Sequence, residues 1–93
     1  MSAKDPRDGF DLIEYPCDYK FKAVCKTVDA IDDVIQQFAV DVVGAENVIS
    51  TDSRPSKNQR FTSVTVLVRL STREDLEAVY QAIADCPDVI MTL

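Results

Sequence analysis

The stretch that most constrains this chain is a ten-residue run, FTSVTVLVRL, from Phe61 to Leu70. From Val64 onward every second residue is aliphatic, which is the period of a β-strand with one buried face. No other β-like run in the sequence is as long. We therefore predict a central strand, and the residues expected to face the core are Val64, Val66, Val68 and Leu70.

The remaining secondary structure follows from the same kind of periodicity. Residues 19–26 alternate between an apolar set and a lysine-rich set, which predicts a second, half-buried strand. Apolar residues recur at helical spacing over 28–43 and over 72–85, so both segments are predicted helices. Weaker apolar runs at 46–52 and 89–93 predict two short strands. The predicted order is β-α-β-β-α-β.

The ends of the two predicted helices carry capping residues. Thr27 and Asp29 are expected to supply capping oxygens to the first helix, and Gly44 is expected to end it in a left-handed conformation. The second helix has two candidate N-caps, Ser71 and Thr72, each of which is followed three residues later by an acid. The sequence leaves both registers open.

Right-handed crossovers arrange this order into one architecture. Four antiparallel strands take the spatial order 4-1-3-2, with both helices on one face of the sheet. This is the ferredoxin-like α+β sandwich, and 93 residues suffice for one such domain. Residues 1–11 are predicted to be a flexible N-terminal tail and residues 12–93 the domain. The apolar residues expected to lie against the domain edge are Phe10, Leu12, Ile13 and Tyr15.

Several kinds of chemistry lack the residues they need. There is no histidine, which removes the commonest general base and the commonest metal ligand. The two glycines are too few for a phosphate-binding loop. The chain has neither an apolar signal region nor a run long enough to span a bilayer. We therefore expect a cytoplasmic protein that is not an enzyme and has no cofactor, no metal and no membrane partner.

Three cysteines, Cys17, Cys25 and Cys86, cannot all pair within one chain, which suits reduced thiols. Cys25 and Cys86 are predicted core residues, and the topology predicts that they lie closer to each other than either does to Cys17. Cys17 precedes Asp18, whose carboxylate raises a thiol pKa and slows nucleophilic attack. A structural role for Cys17 is therefore preferred to redox chemistry.

Charge is distributed unevenly over this frame. The net charge is −6, yet seven of the ten basic residues fall on strands or on the loop between the second and third strands. The predicted helices carry eight acids and one base, Arg73. Because the helices cover one face of the sheet, the opposite face is expected to be basic and to attract an acidic surface or an anionic ligand. The residues predicted to bind a partner are Lys20, Lys22, Lys26, Arg54, Lys57, Arg60, Phe61 and Arg69.

Two other interpretations of this face compete with partner binding. Lysines on an exposed strand face also keep a sheet soluble and discourage edge pairing, and the sequence leaves that interpretation open. RNA-binding sheets need aromatic residues on the central strands, and Phe61 alone is a weak platform, which argues against nucleic acid. Val24 and Leu67 share the face with the bases, and such a mixture favours protein contact over solvation.

The run YPCDY at residues 15–19, followed by Lys22 and Lys26, resembles the opening of the YbeD family, small bacterial proteins of unassigned function. The similarity continues through RPS at 54–56 and FTSVTV at 61–66, and extends to the C-terminal apolar strand. The resemblance implies the ferredoxin-like fold, similar to the ACT-type regulatory domains that bind amino acids. The chain departs from the family at Cys25 and Gln59, where the family tends to have glycine.

These observations lead to two functional hypotheses. The first is a regulatory or adaptor domain that docks a protein partner, or a second copy of itself, through the open sheet face and the loop between the second and third strands. The alternative is an ACT-like sensor that holds a small anionic metabolite near Lys26 and Thr27, at the N-terminus of the first helix. ACT-type domains commonly have a glycine at that turn, and residues 25–28 offer none, so the sensor is the second choice.

Overall fold

Two helices lie on one face of a four-stranded antiparallel sheet in the part of the chain that the computed structural model describes, residues 13–93. The elements are β1 (Cys17–Lys26), α1 (Ile31–Val43), β2 (Val48–Pro55), β3 (Phe61–Leu70), α2 (Arg73–Ala84) and β4 (Val89–Thr92). The spatial order is β2-β3-β1-β4, which is the predicted 4-1-3-2 order counted from the other edge. The ferredoxin-like fold is confirmed. The predicted tail at residues 1–11 lies outside the described residues.

The core forms where β3 and β1 meet the two helices. The four β3 residues predicted to face inward are all fully buried. β1 runs antiparallel beside β3 along its whole length, from the pair Cys17–Leu70 to the pair Lys26–Phe61. Helix residues then close the core from above, chiefly Ile35, Ala39, Leu76, Val79 and Ile83. Ile13 and Tyr15 pack against this core as expected, whereas Phe10 and Leu12 lie outside the described residues.

The helix ends settle one open choice and correct another prediction. Thr72 is the N-cap of α2, because its hydroxyl accepts a hydrogen bond of 3.2 Å from the backbone N–H of Asp75. The N-terminal caps predicted for α1, Thr27 and Asp29, are wrong. Its N-cap is Ala30, in a left-handed conformation (φ 57°) without any side-chain cap. Thr27 lies too far before Ile31 to reach the first turn, and its hydroxyl bonds elsewhere.

The two edge strands of the sheet share a sequence pattern, and each contains a β-bulge. β2 begins VIST and β4 is VIMT, and both are bulged at the isoleucine. Ile49 is the extra residue between the pairs Val48–Val68 and Ser50–Leu67, and Ile90 is the extra residue on β4. Each of these isoleucines is 48% exposed. β2 begins later than the predicted residue 46, because a 3-10 turn occupies Ala45–Asn47.

Candidate functional site

The candidate site is the sheet face that points away from the helices, which we call the open face. Strand register determines which side chains share it, because residues paired across neighbouring strands project to the same side. One row runs from Asp52 on β2 through Thr65 to Lys22 on β1. The neighbouring rows contain Lys20 on β1 and Arg54 on β2. Three of the predicted bases therefore stand on adjacent rows of one face.

A broad depression of about 810 Å³ lies between these bases. Lys20, Lys22 and Arg54 line it, and Leu67 and Leu93 contribute apolar surface to the same depression. The other lining residues are Ala23, Ser50, Asp52, Ser53, Ser63 and Thr65. The depression lies on the open face and not between the sheet and the helices, so a protein surface can reach it without any rearrangement of the core.

The three bases of the depression, Lys20, Lys22 and Arg54, form no ion pair with any of residues 13–93. The carboxylate of Asp52 nevertheless lines the same depression. Arg69 differs, because its Nε lies 3.3 Å from Oδ1 of Asp18 on the paired position of β1. Arg69 also stands at the far end of the open face and does not line the depression. Its charge is thus partly neutralised inside the protein.

The remaining predicted residues lie at the opposite end of the open face. Lys26 ends β1 beside Phe61, the first residue of β3. Lys57 and Arg60 belong to the turn between β2 and β3, which the Ser56 N–H closes by donating to the carbonyl of Phe61 at 2.7 Å. None of these four side chains lines the depression. The eight predicted residues thus form a central cluster of three, a second group of four, and the ion-paired arginine.

The alternative anion site has most of its polar groups already engaged. The Thr27 hydroxyl lies 2.9 Å from the Thr62 hydroxyl, and the Thr27 N–H donates to the Arg60 carbonyl at 3.4 Å. The first turn of α1 carries Asp32 and Asp33. Carboxylates at a helix N-terminus compete with an external anion for the positive end of the helix dipole.

Two residues of the depression, Leu93 and Asp52, were not among the predicted partner-binding residues. Leu93 reaches the site because its N–H donates to the carbonyl of Lys22 at 2.9 Å, which holds the residue after β4 beside β1. Asp52 stands on the open face among the bases and reduces the local positive charge. Both residues reach the depression because of the register of the edge strands, and this register is known only from the paired structure.

Two of the three thiols, those of Cys25 and Cys86, are buried, and that of Cys17 is half-buried. Burial raises the pKa of Cys25 to about 11, with smaller contributions from the neighbouring Cys86 and Asp88. The predicted proximity of Cys25 and Cys86 is confirmed, since Cys17 begins β1 and Cys25 lies near its other end. Burial and then Asp18 raise the pKa of Cys17. Within residues 13–93, no group of three or more Cys, Asp or Glu side chains is placed to hold a metal ion.

The helices within the described range are also too short or too polar to cross a lipid bilayer.

The fold and the open face together define a class: a small ferredoxin-like sandwich with acidic helices on one side and a basic, partly apolar sheet on the other. The chain belongs to the family described as "Protein of unknown function (DUF493)", whose model matches residues 11–93. This family corresponds to the UPF0250 or YbeD-like small bacterial proteins, so the resemblance noted in the sequence is confirmed.

Relatives and solved structures agree with this assignment. The chain is 33% identical to a UPF0250 protein of Paraburkholderia phytofirmans over 86 residues, covering 88% of this chain and 92% of that protein. It is 33% identical to UPF0250 protein RSc0326 of Ralstonia nicotianae over 91 residues, covering 98% and 92%. The solution structure of HP0495 from H. pylori superposes with a TM-score of 0.71 at 22% identity, covering 87% of this chain and 85% of that one. Uncharacterized protein TM1266 from Thermotoga maritima gives 0.56 at 9% identity, covering 82% and 92%. These two similarities concern the fold alone.

Proposed function

We propose that this protein is a non-catalytic regulatory or adaptor domain that docks an acidic surface of a partner protein onto its open face. The observation that carries the proposal is the central cluster: Lys20, Lys22 and Arg54 line one depression beside the apolar Leu67 and Leu93, and they form no ion pair with any of residues 13–93. Three unpaired cations around apolar surface are suited to a partner that presents carboxylates and a small apolar contact.

The charge distribution of the whole chain supports the same conclusion. The net charge is −6, so nonspecific attraction to acidic surfaces is weak, and the positive field is confined to one face. A guanidinium group binds a carboxylate through two parallel hydrogen bonds, which gives Arg54 the geometry to fix a partner's register. The lysines supply longer-range attraction that speeds association and falls with ionic strength.

The metabolite-sensor alternative has less support from the contacts. Its proposed anion site retains the Lys26 amino group, but the Thr27 hydroxyl is engaged with Thr62 and two aspartates occupy the adjoining helix turn. The docking hypothesis uses groups that are unpaired within residues 13–93, and the sensor hypothesis requires groups that already have partners. We therefore place the docking function first.

A charge-reversal pair tests the docking function. Lys22→Glu changes the net charge by −2 within the depression, whereas the double variant Ala78→Glu/Ala84→Glu makes the same change at exposed positions of α2. Tagged wild type and both variants are used to capture partners from an extract of the native cells at roughly 50 mM and 500 mM salt, because exposed charge pairs are screened at high salt. Bound proteins are quantified by mass spectrometry.

We expect one acidic partner to bind the wild type and the α2 double variant equally. Lys22→Glu and high salt should each reduce its recovery at least about tenfold, which corresponds to 1.4 kcal/mol of binding free energy. Circular dichroism of each variant verifies that it is folded. Recovery of the same proteins in the same amounts by all three chains would remove the basis for the proposal.

A further inference from the structure

The free edge of β4 is a second interaction surface, which adjoins the open face at Leu93. We propose that two copies of this chain pair through it as antiparallel strands around a twofold axis. β4 pairs with β1 on one side and with no other strand of residues 13–93. An edge of this kind presents unpaired backbone groups that can template pairing with another chain.

The hydrogen bonds of β4 show which of its groups are available. The N–H of Leu93 donates to the carbonyl of Lys22 at 2.9 Å, so this residue directs its backbone toward β1. Successive residues of a strand alternate in direction, which turns the N–H and C=O of Thr92 away from β1. Within the described residues neither group has a backbone partner. A donor and an acceptor at one residue are what an antiparallel neighbour requires.

The side chains at this edge are apolar and uncharged. Exposed large hydrophobic residues concentrate there: Ile90 is 48% exposed, Met91 52% and Leu93 69%. Residues 89–93 contain no charged side chain. Two copies of a chain with net charge −6 repel each other over most of their surface, and this strip lets them meet without opposing like charges. Burying these side chains against their own copies supplies a hydrophobic driving force.

The other edge of the same sheet provides an internal comparison. β2 starts with the same V-I-x-T pattern and the same bulge, but it continues into Asp52, Arg54 and Pro55. Charged residues and proline are the devices that protect edge strands from unwanted pairing. β4 instead has Met91 and is followed by Leu93. One edge is thus protected and the other is not, which places the self-association at β4.

A second copy fits this edge better than an unrelated strand. A twofold axis beside β4 makes the contact isologous, so each outward donor meets an acceptor of the identical strand. The result is one continuous eight-stranded sheet with two open faces side by side. Because β4 is short, the contact is smaller than a standard interface, and we expect a dissociation constant in the micromolar range.

Two matched lysine substitutions test this pairing. Ile90→Lys and Ile49→Lys change the same residue type, at the same bulge position, in strands of the same pattern, and with the same 48% exposure. Sedimentation velocity of the wild type and both variants is measured from roughly 5 to 500 µM, a range that brackets micromolar dissociation. Hydrogen exchange of the wild type at both ends of the range monitors the Thr92 amide.

We expect a concentration-dependent dimer for the wild type and for Ile49→Lys. Ile90→Lys should raise the dissociation constant at least about tenfold. The Thr92 amide should exchange more slowly at high concentration, and roughly 500 mM salt should leave the dimer intact, because the contact contains no ion pair. A wild type that stays monomeric to the highest concentration overturns the proposal. Equal weakening by both variants, or a dimer that leaves Thr92 exchange unchanged, also overturns it.

The proposed dimer and the proposed docking function can be refuted independently of each other. Lys22→Glu is expected to reduce partner capture at least about tenfold and to leave sedimentation unchanged, whereas Ile90→Lys is expected to weaken the dimer, whose contact is uncharged. Circular dichroism and urea unfolding of both isoleucine variants show that they are folded, since exposed substitutions usually change stability by less than about 0.5 kcal/mol. A dimer lost in the Lys22→Glu variant as well would assign the contact to the open face instead of to β4.

Discussion

Replacing Gly44 by alanine should destabilise the protein through strain in the backbone and not through a clash with the Glu46 side chain. Gly44 ends α1 with φ 89° and ψ 151°, and its N–H donates to the carbonyl of Val40 at 2.8 Å. This combination of angles is essentially restricted to glycine, because a Cβ atom collides with the neighbouring backbone. A left-handed end to α1 was predicted here. The positive φ is confirmed, and the extended ψ makes the restriction to glycine stronger.

The expected cost has two parts of different size. Holding a non-glycine residue in so sparsely populated a region costs on the order of 1–3 kcal/mol, and the smaller entropy of the unfolded alanine chain returns roughly 0.4–1 kcal/mol. A Cβ at Gly44 would also lie 2.9 Å from Oε1 of Glu46. Glu46 is exposed, so its carboxylate can swing away at little cost. We therefore expect Gly44→Ala to lower the free energy of unfolding by about 1.3 kcal/mol, which is the middle of the strain range less the middle of the entropy range.

Urea unfolding separates the backbone cost at residue 44 from the cost of the contact with Glu46. The chains compared are wild type, Gly44→Ala, Glu46→Ala and the double variant. A loss of about 1.3 kcal/mol moves the urea midpoint down by roughly 0.7–1.3 M for a chain of this size. The double variant should be as unstable as Gly44→Ala to within about 0.5 kcal/mol, because removing the carboxylate does not change φ. Recovery of wild-type stability in the double variant, or a Gly44→Ala cost below about 0.5 kcal/mol, would refute the backbone argument.

Two further predictions concern the second helix and the buried thiol. Thr72→Ala should lower the free energy of unfolding by about 1 kcal/mol in urea, whereas Ser71→Ala, the register not used, should change it by less than about 0.5 kcal/mol. Burial raises the pKa of Cys25 from 9.0 to about 11, so the folded state favours the neutral thiol. The stability that this provides is present below pH 9 and lost as the pH rises through 11, by roughly 2–3 kcal/mol. The Cys25→Ala variant should not lose this stability between pH 9 and pH 11. If the wild type and the variant lost the same amount, the loss could not be attributed to Cys25.

The sequence predicted the architecture correctly because its two central strands have one buried face each. The strict alternation of β3 fixed which residues enter the core, and all four of them are fully buried. Strand order followed from the handedness of the crossovers once the element order was known. These inferences depend on period and on chirality, which are properties of the chain itself. No tertiary detail was needed to make them.

The start of α1 was mispredicted for a tertiary reason. Local propensity favours Thr27 and Asp29 as caps, since alanine has no side-chain acceptor and little tendency toward positive φ. In the folded protein the Thr27 hydroxyl bonds Thr62 on β3, and Ile31 is buried as the first residue of the helix. Ala30 then takes the left-handed conformation that joins these two fixed points. A contact between residues far apart in sequence thus determined the local structure.

In the candidate site too, some features follow from the sequence pattern and others only from the pairing of the strands. The alternation of β1 predicted that Lys20 and Lys22 share a face, and they do. Nothing in a one-dimensional pattern shows that Arg69 is neutralised by Asp18, or that Leu93 lies beside Lys22, because both depend on which residues the strands pair. The same register reduces eight predicted residues to a central cluster of three. The two edge strands begin almost identically and have the same bulge, and only the charged residues and proline of β2 distinguish them. Pairing geometry thus selects the cluster on the open face, whereas composition separates the two edges of the sheet.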